Sequence, residues 1–322
     1  MEGTATGDVD YPIQMPLVLV SSPRFVDHVT PAGHPERPER AETLEAVAAR
    51  FREQGGTVLE PRSATDDDLT RVHTREHIAS IVATRGRPSM IDEDTFTSPD
   101  SDDIARLAAG AALTAVDHVL DGPPGSRALA LVRPPGHHAE ADRAMGFCLY
   151  NNIAIGAAYA RSRGLSRVAI VDYDVHHGNG TQAMFYEDPS VLFVSSHQYP
   201  FWPGSGAASE IGRGAGEGFT LNVPLKMGDR DDVVERTYSE TVLPRLREFK
   251  PQLLMISAGF DAHEQDPLGQ LRMTTAGFAR LTQALIRVAD EACEGRVVLV
   301  TEGGYDLKAL AESLQAVIDV CR

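Results

Sequence analysis

The sequence predicts an α/β protein with a mainly parallel sheet wrapped by helices on both sides. Three observations predict it. Short apolar, β-branched runs such as Arg167–Val171, Leu253–Ser257 and Arg296–Val300 have the composition of strands covered on both faces. Helical segments alternate with these runs along the chain, the order that builds parallel sheets. Several runs also end abruptly in residues able to do chemistry, and a parallel sheet brings all such ends to one edge.

Taken in order, Met1–Gln14 carries few apolar residues and is expected as a flexible tail, with a single domain over 15–322. Pro16–Val20 is the first strand, and the Pro-punctuated stretch Gly33–Arg40 feeds a helix from Pro38 to Gln54, proline suiting a first helical turn. Asp66–Ala83 is helical in pieces, and Arg85–Ser101, rich in Gly, Pro, Ser and Asp, reads as a surface loop. Asp102 is expected to cap a helix running to Leu120. Strands follow at Ala128–Val132, Arg167–Val171, Val191–His197, Thr220–Pro224, Leu253–Ser257 and Arg296–Val300, with helices at Tyr150–Arg163, Asp231–Phe249, Thr274–Glu291 and Leu307–Val320. The segment from Tyr199 to Gly218 is a long glycine-rich loop, and no internal repeat or linker divides the chain.

Composition narrows the function classes. With 322 residues, 42% apolar and 24% charged, the chain can build a sizeable core. A formal charge of −16 and a pI near 5.1 argue against a nucleic-acid partner, which calls for a basic patch, and suit cationic partners or plain solubility. Cys148, Cys293 and Cys321 are scattered and odd in number, so neither a disulfide framework nor a cysteine metal site follows, and a reducing, cytoplasmic setting is expected. No signal peptide and no membrane span is read.

The densest motif is Ile170–Thr181, in which Asp172, Asp174 and His176 occupy alternate positions after a buried strand. Alternate residues of an extended chain share a face, so two carboxylates and an imidazole would converge beyond the strand end. Oxygen and nitrogen donors without thiolate suit Zn²⁺, Fe²⁺ or Mn²⁺. Gly178 and Gly180 are expected to let the chain turn away. Three other strands end comparably, in His137 and His138, in Asp261 and in Tyr305.

These residues resemble the zinc-dependent histone deacetylase and acetylpolyamine amidohydrolase superfamily, on the class II-like side. The likeness runs from about His34 to the last helix and rests on seven motifs in the family's order: His-Pro-Glu-Arg-Pro-Glu-Arg, Arg-Pro-Pro-Gly-His-His, Gly-Phe-Cys, Asp-Tyr-Asp-Val-His-His-Gly-Asn-Gly-Thr, Phe-Trp-Pro-Gly-Ser-Gly, Ser-Ala-Gly-Phe-Asp and Glu-Gly-Gly-Tyr-Asp. It implies the arginase-deacetylase fold, a three-layer α/β/α sandwich with a mainly parallel central sheet. It also implies metal ligation by Asp174, His176 and Asp261, an acid–base pair His137 and His138, and Asp172 orienting His137. Asn179 stands behind His138 where class I members carry aspartate; a neutral partner stabilises an imidazolium less, so a lower His138 pKa is expected. Tyr305 would polarise the amide carbonyl through its hydroxyl.

The resemblance makes Phe147 and Trp202, the latter where phenylalanine is usual, the walls of a narrow substrate tunnel, with Gly146, Gly303 and Leu268 as further substrate-binding residues. Leu268 stands where some polyamine-directed members carry glutamate, which favours acyl-lysine over acylpolyamine. It implies a structural K⁺ at Asp172, Asp174, His176, Ser195 and Ser196 besides one catalytic Zn²⁺. His28, His34, His73, His77, His118, His177, His197 and His263 receive no metal role. The expected activity is metal-dependent removal of acetyl groups from N-acyl-lysine side chains of proteins or peptides. The alternative is a small acylated amine such as an acetylpolyamine. An arginase-type ureohydrolase would need a second metal, and a catalytically silent binding module would lack a ligand or the tyrosine. No nucleic-acid or membrane partner is expected, and a homo-oligomer is left open.

Overall fold

A computed structural model of the chain describes residues 17–322; the expected tail lies outside them. Its frame is an eight-stranded sheet in the order β2-β1-β5-β10-β9-β6-β7-β8, every neighbouring pair parallel. The strands are β1 (Leu17–Val20), β2 (Thr57–Leu59), β5 (Arg127–Ala130), β6 (Val168–Asp172), β7 (Val191–Gln198), β8 (Thr220–Leu225), β9 (Leu253–Ala258) and β10 (Val297–Thr301). The fold class expected from the sequence, three layers around a parallel sheet, is what the chain adopts.

Alternation along each strand divides the core. Leu17, Leu19, Leu129, Val171, Ile256 and Leu299 face one layer; Val18, Val20, Ala130, Ile170, Met255 and Val300 face the other. The first face is covered by α1 (Pro38–Glu53), α9 (Thr275–Ala292) and α10 (Leu307–Cys321), the second by α4 (Ser101–Asp121) and α5 (Asn152–Ser162). In α1 the buried Leu44, Val47, Ala48 and Phe51 recur at helical spacing. Asn151 caps α5 by accepting the Ala154 N–H, and Thr274 caps α9 through Gly277.

Several expectations are corrected. Residues 85–101 are not only surface loop: β3 (Ser89–Met90) and β4 (Phe96–Thr97) pair antiparallel there, and Thr95, Thr97 and Ser98 are buried. Asp102 caps nothing. It lies inside α4, buried, and accepts from Arg85 Nε at 2.7 Å and from Tyr150 Oη at 2.7 Å. The edge strand β2 carries no apolar run to announce it. Two short helices, α2 (Asp66–Leu69) and α3 (Arg75–Val82), fit the helical pieces expected. The helix expected over 231–249 is α7 (Asp231–Thr237) and α8 (Leu243–Phe249) joined by a π turn, Tyr238–Val242; Pro244 has no N–H to give to the preceding turn. The turn expected after His177 is α6 (Asn179–Phe185). Among the described residues, no helix is long and apolar enough to cross a membrane.

Candidate active site

Four neighbouring strands, β5, β10, β9 and β6, end under one cluster of polar side chains. Strand β6 stops at Asp172, so Asp174 and His176 reach the cluster from the loop beyond it rather than from an extended strand. Ligand atoms of Asp174, His176 and Asp261 lie within 4.8 Å of one another. His176 Nδ1 is 3.1 Å from Asp174 Oδ1 and 3.1 Å from Asp261 Oδ2.

Backbone donors fix both carboxylates: Val175 N–H reaches Asp261 Oδ1 at 2.9 Å, and Gly303 N–H reaches Asp174 Oδ2 at 2.9 Å. Gly303 does not line the substrate cavity with the residues it was expected to join; its place is behind these carboxylates. A Cβ there would sit 2.1 Å from Asp261 Oδ2 and 2.7 Å from Asp174 Oδ2.

Charge in this cluster calls for a cation. Burial alone would lower the His176 pKa, but its bonds to Asp174 and Asp261 override that and hold it at about 10. Burial, followed by the charge of Asp174, pushes Asp261 up to about 7. Two buried carboxylates and one imidazole on a single point match the donor set of a hard or borderline divalent metal with coordination positions left over.

His137 and His138 stand beside it with ring centroids 3.9 Å apart. His137 Nδ1 meets Asp172 Oδ2 at 2.9 Å, and His138 Nδ1 meets Asn179 Oδ1 at 2.8 Å. Asn179 Nδ2 donates to Glu140 Oε1 at 2.9 Å, so its oxygen faces the imidazole and His138 Nε2 stays free to accept. Burial disfavours charge on both rings, yet the Asp172 and Asp174 charges raise His137 well above 6.5. His138 lacks such a partner: burial, then the charges of His137 and His176, drive it well below 6.5, the direction expected from Asn179.

Tyr305 is buried, and burial pushes its pKa well above 10 despite the opposing charge of Arg40. Arg40 itself donates to the Gly304 and Glu302 carbonyls at 2.7 and 2.6 Å, and to Glu36 Oε1 at 3.0 Å. Glu302 Oε2 accepts the N–H groups of Gly136 and His137 at 2.6 and 3.1 Å, tying the β10 end to the histidine loop.

A cavity of about 200 Å³ opens onto this cluster. Phe147 and Trp202 line it, with Gly146 and Leu268 beside them and His138, His176 and Tyr305 bringing in the polar groups. The Trp202 ring meets His138 edge-on at 4.6 Å and is 41% exposed, which puts it at the mouth. Asp94 also lines the cavity. Sequence reading assigned it to a surface loop, and no local pattern distinguishes it from Asp92. His34 packs on Phe147 at 4.8 Å and bonds the Asp94 carbonyl at 2.9 Å, a wall-supporting place missed in the sequence. His177 and His197 are buried and hydrogen-bonded, to Ser205 and Gln182 and to Gly206 respectively. Ser195 pairs with Asp172 across β6 and β7, and Ser196 Oγ lies 3.4 Å from the Asp172 carbonyl.

Residues 34–321 match the family model of the histone deacetylase domain. The chain is 41% identical over 302 residues to the chloroplastic histone deacetylase 10 of Oryza sativa subsp. japonica, covering 87% of this chain and 68% of that one. It is 43% identical over 296 residues to the polyamine deacetylase HDAC10 of Homo sapiens, covering 87% of this chain but only 43% of the human protein. The crystal structure of the HDA15 HD domain superposes with a TM-score of 0.88 at 40% identity, over 95% of this chain and 89% of that one.

Proposed function

Because the chain belongs to the histone deacetylase domain family, we propose that it is a metal-dependent amide hydrolase that removes acetyl groups from N-acyl-lysine side chains and releases acetate. The observation that supports this best is convergence around one cavity of about 200 Å³: a two-carboxylate, one-imidazole ligand set, a histidine pair and a protonated tyrosine.

In this reading Asp174, His176 and Asp261 hold a Zn²⁺, which would polarise the amide carbonyl and acidify water. His138, held neutral with Nε2 as acceptor, takes the proton of the attacking water and later returns one to the departing amine. Asp172 fixes the His137 tautomer and keeps its Nδ1 protonated, so the pair offers one acceptor and one cation side by side. Asn179 sets His138 in register. Tyr305, kept protonated by burial, donates its hydroxyl to the developing oxyanion. Phe147 and Trp202 clasp the alkyl stem of acyl-lysine, an apolar rod, and exclude water from it. Asp172, Asp174, His176, Ser195 and Ser196 would hold a structural K⁺, as oxygen donors suit a hard cation. Three free, buried cysteines accord with a cytoplasmic setting.

A second reading, deacetylation of an acetylpolyamine, is favoured by one feature: the acidic residue Asp94 is among those lining the cavity, and its carboxylate could hold a second ammonium. Leu268 in the same lining offers no charge and favours acyl-lysine. Turnover of acetyl-lysine peptides beside N-acetylspermidine, with metal analysis of the same sample, tests both. Activity on neither class overturns the proposal.

A further inference from the structure

Leu268 of the cavity rim and Tyr305 of the catalytic edge lie on loops that follow different strands, β9 and β10, yet their main chains end on the same carboxylate. Asp266 Oδ1 accepts the Leu268 N–H at 2.9 Å. Asp266 Oδ2 accepts the Tyr305 N–H at 2.7 Å and the Asp306 N–H at 3.3 Å. The residue is 8% exposed, and its own N–H is tied to the His263 carbonyl at 2.9 Å.

We propose that Asp266 is a positioning residue: it locks the Tyr305 backbone to the rim loop, so that the tyrosine hydroxyl and Leu268 keep a fixed spacing across the cavity. The functional part of this inference rests on the deacetylase reading above. Tyr305 needs such an anchor, because its ring is placed by face and edge contacts, Arg40 at 5.0 Å and Phe147 at 5.8 Å. Ring contacts of this kind tolerate sliding, and a displacement of about 1 Å at an oxyanion donor costs on the order of 10²-fold in rate. The backbone amide, held by a buried anion through a charge-assisted bond, does not slide.

The geometry also explains why a carboxylate is required. All three donors are backbone N–H groups, divided between the two oxygens. An asparagine has one accepting oxygen, and its NH₂ would face either Leu268 N–H or the Tyr305 and Asp306 pair, donor against donor. Asp266→Gln or →Ala would add bulk or leave every donor unpaired, so Asp266→Asn is the informative change.

Asp266→Asn, assayed as the metal-loaded full chain on an acetyl-lysine peptide, is expected to lower kcat about 10- to 100-fold with KM within about twofold and metal content unchanged. Combined with Tyr305→Phe it should cost less than about twofold beyond Tyr305→Phe alone, since its effect passes through the hydroxyl that is gone. A general loosening of the fold would instead lower activity equally in both backgrounds, and multiplicative losses overturn the proposal. Amide hydrogen exchange gives a readout independent of catalysis. Tyr305 and Leu268 should exchange faster in Asp266→Asn while Gly303 does not, and unchanged exchange at Tyr305 overturns the proposal even if the wild type proves inactive. An inactive wild type with the expected exchange pattern sinks the deacetylase reading and leaves the anchor standing. If Asp266→Asn fails to fold, Asp266→Glu, which keeps both oxygens, carries the same cycle with smaller losses.

Discussion

The guanidinium of Arg40 lies 5.0 Å from the ring centroid of Tyr305, and the same guanidinium bonds the carbonyls of Glu302 and Gly304. The tyrosine ring is thus roofed by a buried cation that is fastened to the tyrosine's own loop. None of these contacts uses the hydroxyl.

Tyr305→Phe is therefore expected to keep fold and metal while losing about 2.7–4 kcal/mol of transition-state stabilisation, the range for deleting one oxyanion donor. Steady-state kinetics with thermal melting checks it. A variant within twofold of wild-type kcat shows that the hydroxyl is not the donor.

Asp261→Ala removes one of two carboxylates from the ligand set, and metal content and activity should fall together. Elemental analysis of the purified variant decides. Full occupancy with full activity would displace Asp261 from the site.

Gly303→Ala should be as damaging as loss of a ligand, although glycine has no side chain to coordinate anything. The new methyl would have to occupy space 2.1 Å from Asp261 Oδ2, so one carboxylate must move. The expected result is loss of metal affinity by 10-fold or more, on the order seen when support for a ligand is removed. Unchanged affinity in a competition titration counts against this packing.

Leu268→Glu should shift the ratio of kcat/KM for N-acetylspermidine over acetyl-lysine peptide upward by about 10-fold. A carboxylate at the rim meets the distant ammonium at short range, where the general acidity of the surface is screened beyond about 8–10 Å in physiological salt. A wild type already preferring the polyamine tenfold would transfer the selecting role to Asp94.

Two buried histidines outside the ligand set, His28 and His73, give stability a pH dependence. Burial, with Arg133 adding to it and Glu36 opposing, lowers His28 to about 4. Burial, then His77, lowers His73 to about 3. Unfolded histidine titrates near 6.5, so below that pH the unfolded chain takes up protons that the folded chain refuses. The contribution of these two histidines should be level above about pH 7.5 and fall as pH drops from about 6.5 toward 4, each costing up to about 2 kcal/mol by pH 5. Urea midpoints at pH 7.5 and 5.0 measure this, and His73→Gln should flatten the slope. An unchanged slope in His73→Gln would rule it out.

Strand ends and short motifs made much of the site legible. His137, His138, Asp172, Asp174, Asp261 and Tyr305 each follow an apolar run that announces a strand, and in a parallel sheet such ends meet. The rest depends on partners far along the chain. Glu36 means little until Arg133, 97 residues away, closes on it at 2.6 Å, and Arg40 until Gly304, 264 residues away, accepts its Nε. Asp94 sits in a polar turn with other acids around it, and only the fold shows which of them faces the cavity. Helix α6 is masked by the two glycines around its start. Gly178 and Gly180 read as turn residues, but neither has a positive φ; both are needed for space, with a Cβ at Gly180 falling 2.2 Å from the Ala139 carbonyl. Gly303 misled in the same way, its motif suggesting substrate while its position serves the ligands.

The strands carrying the chemistry are the four in the middle of the sheet, with β2 and β1 outside them on one flank and β7 and β8 on the other. Fraying begins at margins, and central strands open only when the whole molecule does. The reactive groups thus sit on loops rooted in the last part of the sheet to come apart. Heat or denaturant would loosen the outer strands first, and loss of the ligand set would coincide with collapse of the entire domain rather than precede it.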